Sequence, residues 1–248
     1  MNMSLFFLLF ASSFFAKNGT IDFLTEQKKH HRVKTAINEK LNIVEKKLSE
    51  NGLRLTNFEL LMVAYKDVDV LEIYAKKKSA KHFKCIVTYP ICARSGSLGP
   101  KRKQGDAQVP EGFYYIQRFN PISQYYLSLG LNYPNLSDRK KSNATNLGGD
   151  IFIHGDCVTI GCLPMTNELI KEIYLYAIYA KNNGQDNIPV YIFPFKMANS
   201  NMKIFSEKFK HDKNLLLFWE NLKIGYDKFT ENYQKLNYSV SAIGDYVF

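Results

Sequence analysis

The sequence has 248 residues, a formal net charge of +10 and a sequence pI of about 9.2. A chain of this length can form one sizeable domain with extensions, so it does not need a disulfide scaffold to fold. The positive charge suits any polyanion, but the lysines are scattered and no helix-turn-helix, zinc-finger or RNA-recognition pattern is present. The composition therefore argues against nucleic acid as a partner and predicts a solvated, lysine-rich surface.

The first 16 residues, MNMSLFFLLFASSFFA, form an uncharged apolar run that ends where the polar stretch from Lys17 begins. The run is short for a membrane span, and Ala11 and Ser13 fit the small residues of a signal-peptidase site. The alternative is an N-terminal core helix, but the segment lacks amphipathic periodicity. We therefore expect residues 1–16 to be a cleaved signal peptide and the mature chain to be secreted to the periplasm.

Periodicity and turn residues divide the rest of the chain into helices and strands. The predicted elements are a helix at 30–48, a β-hairpin at 58–65 and 68–76, strands at 83–91, 111–119, 125–131 and 151–153, a helix from N-cap Thr166 to Gly184, a strand at 188–195 and a helix at 215–236. Residues 94–104 and 132–149 lack periodicity, and long loops of this kind tend to be functional.

The order of these elements predicts one α+β domain, with a β-rich centre and helices at both ends. No internal repeat and no Pro- or Ser-rich linker divides the chain. We expect an N-terminal helical segment at 17–55, a catalytic domain at 56–198 and a C-terminal helical extension at 199–248.

Residues 153–166, IHGDCVTIGCLPMT, carry the candidate chemistry. Cys162 is a candidate acyl-transfer nucleophile, and His154 is the base that would help to form its thiolate. Gly161 permits close approach of a substrate carbonyl, and the amides of Gly161 and Cys162 are candidates for an oxyanion hole. We expect them at the start of the following helix, whose N-terminus would also lower the pKa of the thiol.

Alternatives to a nucleophile remain open from the residues alone. One alternative is a structural histidine beside a buried cysteine, and another is a zinc site built from His154, Cys157 and Cys162 without a clear fourth ligand. A disulfide between Cys157 and Cys162 would consume the nucleophile. Among the four cysteines, Cys85 and Cys92 are near enough in sequence to pair, although the apolar run around Cys85 equally fits a buried free cysteine.

The pattern of His154 and Gly155 followed by Thr159, Gly161 and Cys162 resembles the signature of the YkuD-type L,D-transpeptidase family. The likeness continues in residues 95–115 and 120–134, and in IFPFKM at 192–197, so that it covers about 58–197. The short histidine-to-cysteine spacing and the Met165–Thr166 helix start resemble the YafK-like branch. This branch is associated with cutting an outer-membrane lipoprotein off murein.

The resemblance implies a β-rich catalytic domain in which Cys162 attacks the carbonyl of an L-centre, usually that of meso-diaminopimelate, to give a thioester. His154 takes the position of the base, and the Gly155 carbonyl that of its orienting acceptor. The implied partners are peptidoglycan peptides, with a murein-linked lipoprotein as a further candidate. No cofactor or metal is expected.

One position departs from the family pattern, because Pro164 stands where many members have an arginine. Arg94, Lys101 and Arg102, in the loop before the Pro-Glu-Gly strand, are the candidates to bind a substrate carboxylate instead. Solvated loop charges are the alternative.

Four functions remain in competition. The resemblance to the YafK-like branch favours hydrolysis of an amide bond in a murein peptide or a murein–lipoprotein link. The first alternative is a transpeptidase that forms 3-3 crosslinks or attaches a protein to murein. The second is an inactive wall-binding module, and a zinc-dependent or redox protein is a further class.

Overall fold

The computed structural model describes residues 22–248, so the expected signal peptide lies outside the described part of the chain. The helices are α1 (Phe23–Lys28), α2 (His31–Glu50), α3 (Leu136–Lys141), α4 (Asn167–Asn182), α5 (Asn199–Lys208) and α6 (Lys213–Asn232). The strands are β1 (Glu59–Tyr65), β2 (Val70–Lys76), β3 (Lys84–Pro90), β4 (Gly112–Asn120), β5 (Ser128–Leu131), β6 (Phe152–His154), β7 (Leu163–Pro164), β8 (Pro189–Phe193), β9 (Ser239–Val240) and β10 (Tyr246–Val247).

An eight-stranded sheet forms the centre, in the order β3-β2-β1-β8-β4-β5-β6-β7. Most neighbouring pairs are antiparallel, as in the predicted β1–β2 hairpin, but β1 pairs in parallel with β8 and β6 in parallel with β7. The last of these pairs lies at one edge of the sheet. It brings together two segments of the candidate motif that are separated in sequence by a loop.

The two central strands, β1 and β8, are buried on both faces. Side chains of a strand alternate between faces, and here they enter two separate apolar cores. Leu60 and Met62 belong to the core beneath α2 and α4, whereas Leu61 and Val63 belong to the core beneath α6, around Trp219. Both terminal helical segments therefore cover the sheet, one on each face.

This arrangement confirms the predicted α+β class, with a β-rich centre and helices at both ends. The predicted N-cap of α4 is also confirmed, because Thr166 Oγ1 accepts a hydrogen bond from Leu169 N at 3.2 Å. Gly184, with φ of +96°, follows the end of that helix as expected. The boundaries proposed for the segments at 17–55, 56–198 and 199–248 stay predictions.

Several short elements differ from the prediction. The loop at 132–149 contains α3, which begins with a capping box formed by Asn135 and Asp138. The strand expected from residue 125 begins only at Ser128, because residues 121–127 form a turn over the candidate site. Helices α1 and α5 and the β9–β10 pair carry too little periodicity for detection from sequence. Across residues 22–248, no helix is both long and apolar enough to span a membrane.

Candidate active site

Parallel pairing of β6 with β7 places His154 and Cys162 on neighbouring backbone segments. Ile153 is opposite Leu163 and His154 is opposite Pro164, so Cys162, directly before β7, continues this register opposite Phe152. Phe152 N donates to Cys162 Sγ at 3.4 Å, and the thiol lies 3.6 Å from Asp150 O. Alternation along paired strands directs residues 162 and 154 to the same face.

The imidazole of His154 is held in one tautomer. Its Nδ1 lies 2.5 Å from the Gly155 carbonyl oxygen, which can only accept a hydrogen bond. Nδ1 therefore carries the proton, and Nε2 keeps a free lone pair. Burial lowers the pKa of His154 below its ordinary 6.5, against the opposing effects of the Gly155 hydrogen bond and of Asp156. The ring is accordingly neutral at pH 7.

The thiol of Cys162 is also neutral at pH 7. Burial raises the pKa of Cys162 above its ordinary 9.0, and the hydrogen bond from Phe152 N only partly offsets this effect. The expectation that a helix N-terminus lowers this pKa was wrong, because β7 intervenes and α4 begins only at Asn167. Within residues 22–248, Sγ of Cys162 and the His154 ring make no hydrogen bond with each other.

The backbone before Cys162 is organised by Thr159. Its Oγ1 accepts from Cys162 N at 2.8 Å and from Gly161 N at 3.1 Å, and donates to Cys162 O at 2.9 Å. The two amides proposed as an oxyanion hole thus donate to Thr159 Oγ1 in this structure. Gly161 has φ of +139°, and a Cβ there would lie 3.0 Å from Gln108 O, so this position requires glycine.

A disulfide joins Cys92 to Cys157, with a Cα–Cα distance of 5.5 Å. The considered pairings of Cys85 with Cys92 and of Cys157 with Cys162 were therefore wrong, and Cys85 is exposed on edge strand β3 instead of being buried. With Cys157 in the disulfide, the zinc alternative loses a ligand. The described residues also contain no group of three or more His, Cys, Asp or Glu able to hold a metal.

The disulfide connects the loop between His154 and Cys162 to the segment that lines the cavity beside the nucleophile. Cys92 N donates to Pro164 O at 3.0 Å, so residues after Ile91 run alongside β7. A cavity of about 60 Å³ lies there, bordered by Cys162, Leu163 and residues 93–98. Ser95 Oγ at this cavity is buried and has no hydrogen-bond partner among the described residues.

The three basic residues predicted to bind substrate lie in different places. Arg94 lines the cavity of Cys162 and pairs with Asp69 through Nη2 at 2.5 Å. Lys101 is buried in an ion pair with Asp106 at 2.7 Å, which leaves it poorly placed to bind a substrate. Arg102 pairs with Asp138 at 3.1 Å and lies outside this cavity.

Sequence reasoning missed two contributors to the site. The Tyr125 ring packs against the His154 ring at a tilt of 33°, with centroids 4.6 Å apart, and no sequence pattern marks it. From sequence, Thr159 is marked only as part of the family pattern. A threonine two residues before Gly161 can accept a hydrogen bond from the Gly161 amide and so stabilise a turn, as it does here.

A sequence model of the YkuD family, the L,D-transpeptidase catalytic domain, matches residues 60–192. The chain belongs to this family, which confirms the resemblance stated from its motif. The match includes His154 and Cys162 but ends before α5 and α6.

Among individual proteins, the chain is similar to YafK of Escherichia coli strain K12, a provisionally assigned L,D-transpeptidase. The two are 41% identical over 169 residues, which are 67% of this chain and 65% of YafK, and the same values hold for YafK of E. coli O157:H7. The chain thus spans just under two thirds of the length of these relatives.

Solved structures similar to the chain include Pgp2, the helical cell shape determining protein of Campylobacter jejuni. It is 20% identical, with 79% of this chain and 80% of that chain covered and a TM-score of 0.45. Bd1075 of Bdellovibrio bacteriovorus is 25% identical, with 69% and 62% covered and a TM-score of 0.40.

The disulfide predicts a measurable loss of stability in its absence. Its 65-residue separation corresponds, in the loop-entropy model, to about 4 kcal/mol of unfolding free energy. We expect denaturant unfolding of the Cys92→Ser/Cys157→Ser protein to show a loss approaching this value. The exposed, unpaired Cys85 supplies the control, since Cys85→Ser should leave the midpoint unchanged. Equal midpoints for all three proteins would contradict the pairing.

The raised pKa of Cys162 predicts how its alkylation depends on pH. In a Cys85→Ser background, the rate of iodoacetamide labelling at Cys162 should rise with pH to a midpoint above 9, because only the thiolate reacts. His154→Gln should leave this midpoint almost unchanged. A plateau of high reactivity between about pH 5 and 8, abolished by His154→Gln, would instead show a resting thiolate–imidazolium pair.

Proposed function

We propose that this protein is a periplasmic peptidoglycan-modifying enzyme that uses Cys162 as a nucleophile. The observation that carries the proposal is the free Cys162 thiol in strand register with His154, whose Nε2 is left unprotonated by the Gly155 hydrogen bond. Family membership over residues 60–192 supports the substrate class, namely wall peptides attacked at the L-centre of meso-diaminopimelate.

The proposed first half of the reaction begins from the neutral pair. As the substrate carbonyl approaches, Nε2 of His154 takes the thiol proton and Sγ of Cys162 forms a bond to the carbonyl carbon. The amides of Gly161 and Cys162 would stabilise the oxyanion once Thr159 Oγ1 releases them. Collapse of the tetrahedral intermediate breaks the C–N bond, and the imidazolium protonates the leaving amine.

The second half decides between hydrolysis and transpeptidation. Neutral His154 can take a proton from an acceptor that attacks the thioester, returning the proton to the Cys162 sulfur as that bond breaks. The short histidine-to-cysteine spacing and the Met165–Thr166 helix start, which resemble the YafK-like branch, support water as the acceptor and hence a hydrolase that cuts an amide in a murein peptide or a murein–lipoprotein link.

Substrate orientation is assigned in this proposal to Arg94. It is half exposed, borders the cavity of Cys162 and is held by Asp69, so its guanidinium is positioned near the reacting bond. Lys101 and Arg102 are paired with buried or nearly buried carboxylates away from this cavity. The expected secretion of the chain, from residues 1–16, would bring the enzyme to the wall.

Digestion of purified sacculi tests the proposed function. Wild-type protein, with Cys162→Ala as control, is incubated with sacculi that carry or lack attached lipoprotein, and the products are identified by mass spectrometry. We expect freed peptides or freed lipoprotein, depending on Cys162, because water resolves the thioester. New 3-3 crosslinks would establish transpeptidation instead. Products unchanged by Cys162→Ala would contradict the nucleophile, and absence of any product would favour the inactive wall-binding module.

A further inference from the structure

A second concave site adjoins the cavity of Cys162. It is a groove of about 730 Å³ between the loop around residues 97–108 and the first half of α6. Ser97 and Leu98 line both the groove and the cavity, so one segment of chain separates the two. We call this site the α6 groove.

The α6 groove owes one wall to the C-terminal extension, which lies beyond the family match at 60–192. A buried network fixes that wall relative to Cys162. Trp219 Nε1 donates to Glu111 Oε2 at 2.8 Å, and Gly99 N donates to Glu111 Oε1 at 2.7 Å. Lys66 Nζ, also at the cavity, donates to Glu111 Oε1 and to Gly99 O. These bonds therefore hold the groove and the cavity in fixed positions relative to each other.

Two cations line the groove, and each has N–H groups that remain free to donate. Arg102 uses Nη1 for Asp138 and Lys101 O, while its Nε and Nη2 bond to nothing in residues 22–248. Lys141 pairs with Asp245 through one of its ammonium protons. Both cations lie against the ring of Phe218, at 4.8 and 6.0 Å from its centroid. Asp212 also borders the groove, but its carboxylate caps α6 at Leu215 N.

Size separates the roles of the two sites. At about 60 Å³ the cavity holds little beyond the reacting group, so the remainder of a peptide substrate must bind elsewhere. The groove, at about 730 Å³, falls within the range of about 300–1,000 Å³ that is common for ligand sites.

We propose that the α6 groove is a subsite for an acidic peptide segment of the wall substrate, with its carboxylates bound by Arg102 and Lys141. This inference rests on the proposed function for the identity of the substrate. The net charge of +10 favours the approach of such a ligand.

A matched pair of substitutions on α6 tests the subsite. Leu217 lines the groove and is 63% exposed, whereas Ile224 lies on the same helix outside the groove and is 48% exposed. In the Cys162→Ala protein, soluble acidic wall peptides are titrated calorimetrically against Leu217→Glu and Ile224→Glu. The carboxylate added at 217 should repel the ligand and compete for Arg102 and Lys141. We expect about tenfold weaker binding for Leu217→Glu, the size of one lost charged contact.

Ile224→Glu should bind like the parent protein, and amidation of the peptide carboxylates should weaken binding to the parent. Equal affinities for Leu217→Glu and Ile224→Glu, equal binding of the amidated peptide, or no binding to the parent would overturn the subsite. Iodoacetamide labelling of Cys162 in otherwise wild-type protein should be the same for both variants, which checks that the cavity is intact.

Turnover separates this inference from the proposed function. If the acidic peptides bind through the groove but wild-type protein does not convert them, the proposed function fails and the subsite stands. If wild-type and Leu217→Glu proteins convert peptide equally, with unchanged KM, the subsite fails and the proposed function stands.

Discussion

The site depends on one short pairing, that of β6 with β7 at the edge of the sheet. After the motif loop, the chain pairs in parallel with β6 over two residues. This register places Cys162 opposite Phe152, beside the strand that ends at His154. Met165 N and Cys92 N extend this pairing, through bonds to His154 O at 2.7 Å and to Pro164 O at 3.0 Å. Loss of the register would move the thiol away from the imidazole, since this pairing places Cys162 beside the strand that carries His154.

The terminal extensions support this pair from two sides, although both lie outside the family match. On one side Arg32 of α2 donates to the carbonyls of Ser123 and Tyr126, holding the turn from which Tyr125 packs against His154. On the other, Trp219 of α6 binds Glu111, which fixes the segment bordering the cavity of Cys162. Burial from both sides explains why thiol and imidazole are neutral, because a low-dielectric surrounding disfavours either charged form.

Much of the fold follows from sequence periodicity, whereas little of the site geometry does. β1, β2 and α4 were predictable because their apolar patterns are long, but two-residue β7 has no period, so the helix N-terminus was wrongly expected at Cys162. The Cys92–Cys157 disulfide spans 65 residues and depends on tertiary contact. In the sequence, Lys101 looks like an ordinary loop cation, whereas in the structure it is buried in an ion pair with Asp106. His154 and Cys162 emerged from the family pattern, since their spacing alone left structural alternatives.

The central claim is that Cys162 forms a thioester with the help of neutral His154. Intact-protein mass spectrometry after rapid acid quench of wild-type protein with a wall peptide tests it most directly. The account predicts an adduct with the mass of the acyl fragment, mapped to Cys162 by digestion, that forms much more slowly in His154→Gln. An adduct on another residue, or one that forms equally fast without His154, would contradict the account.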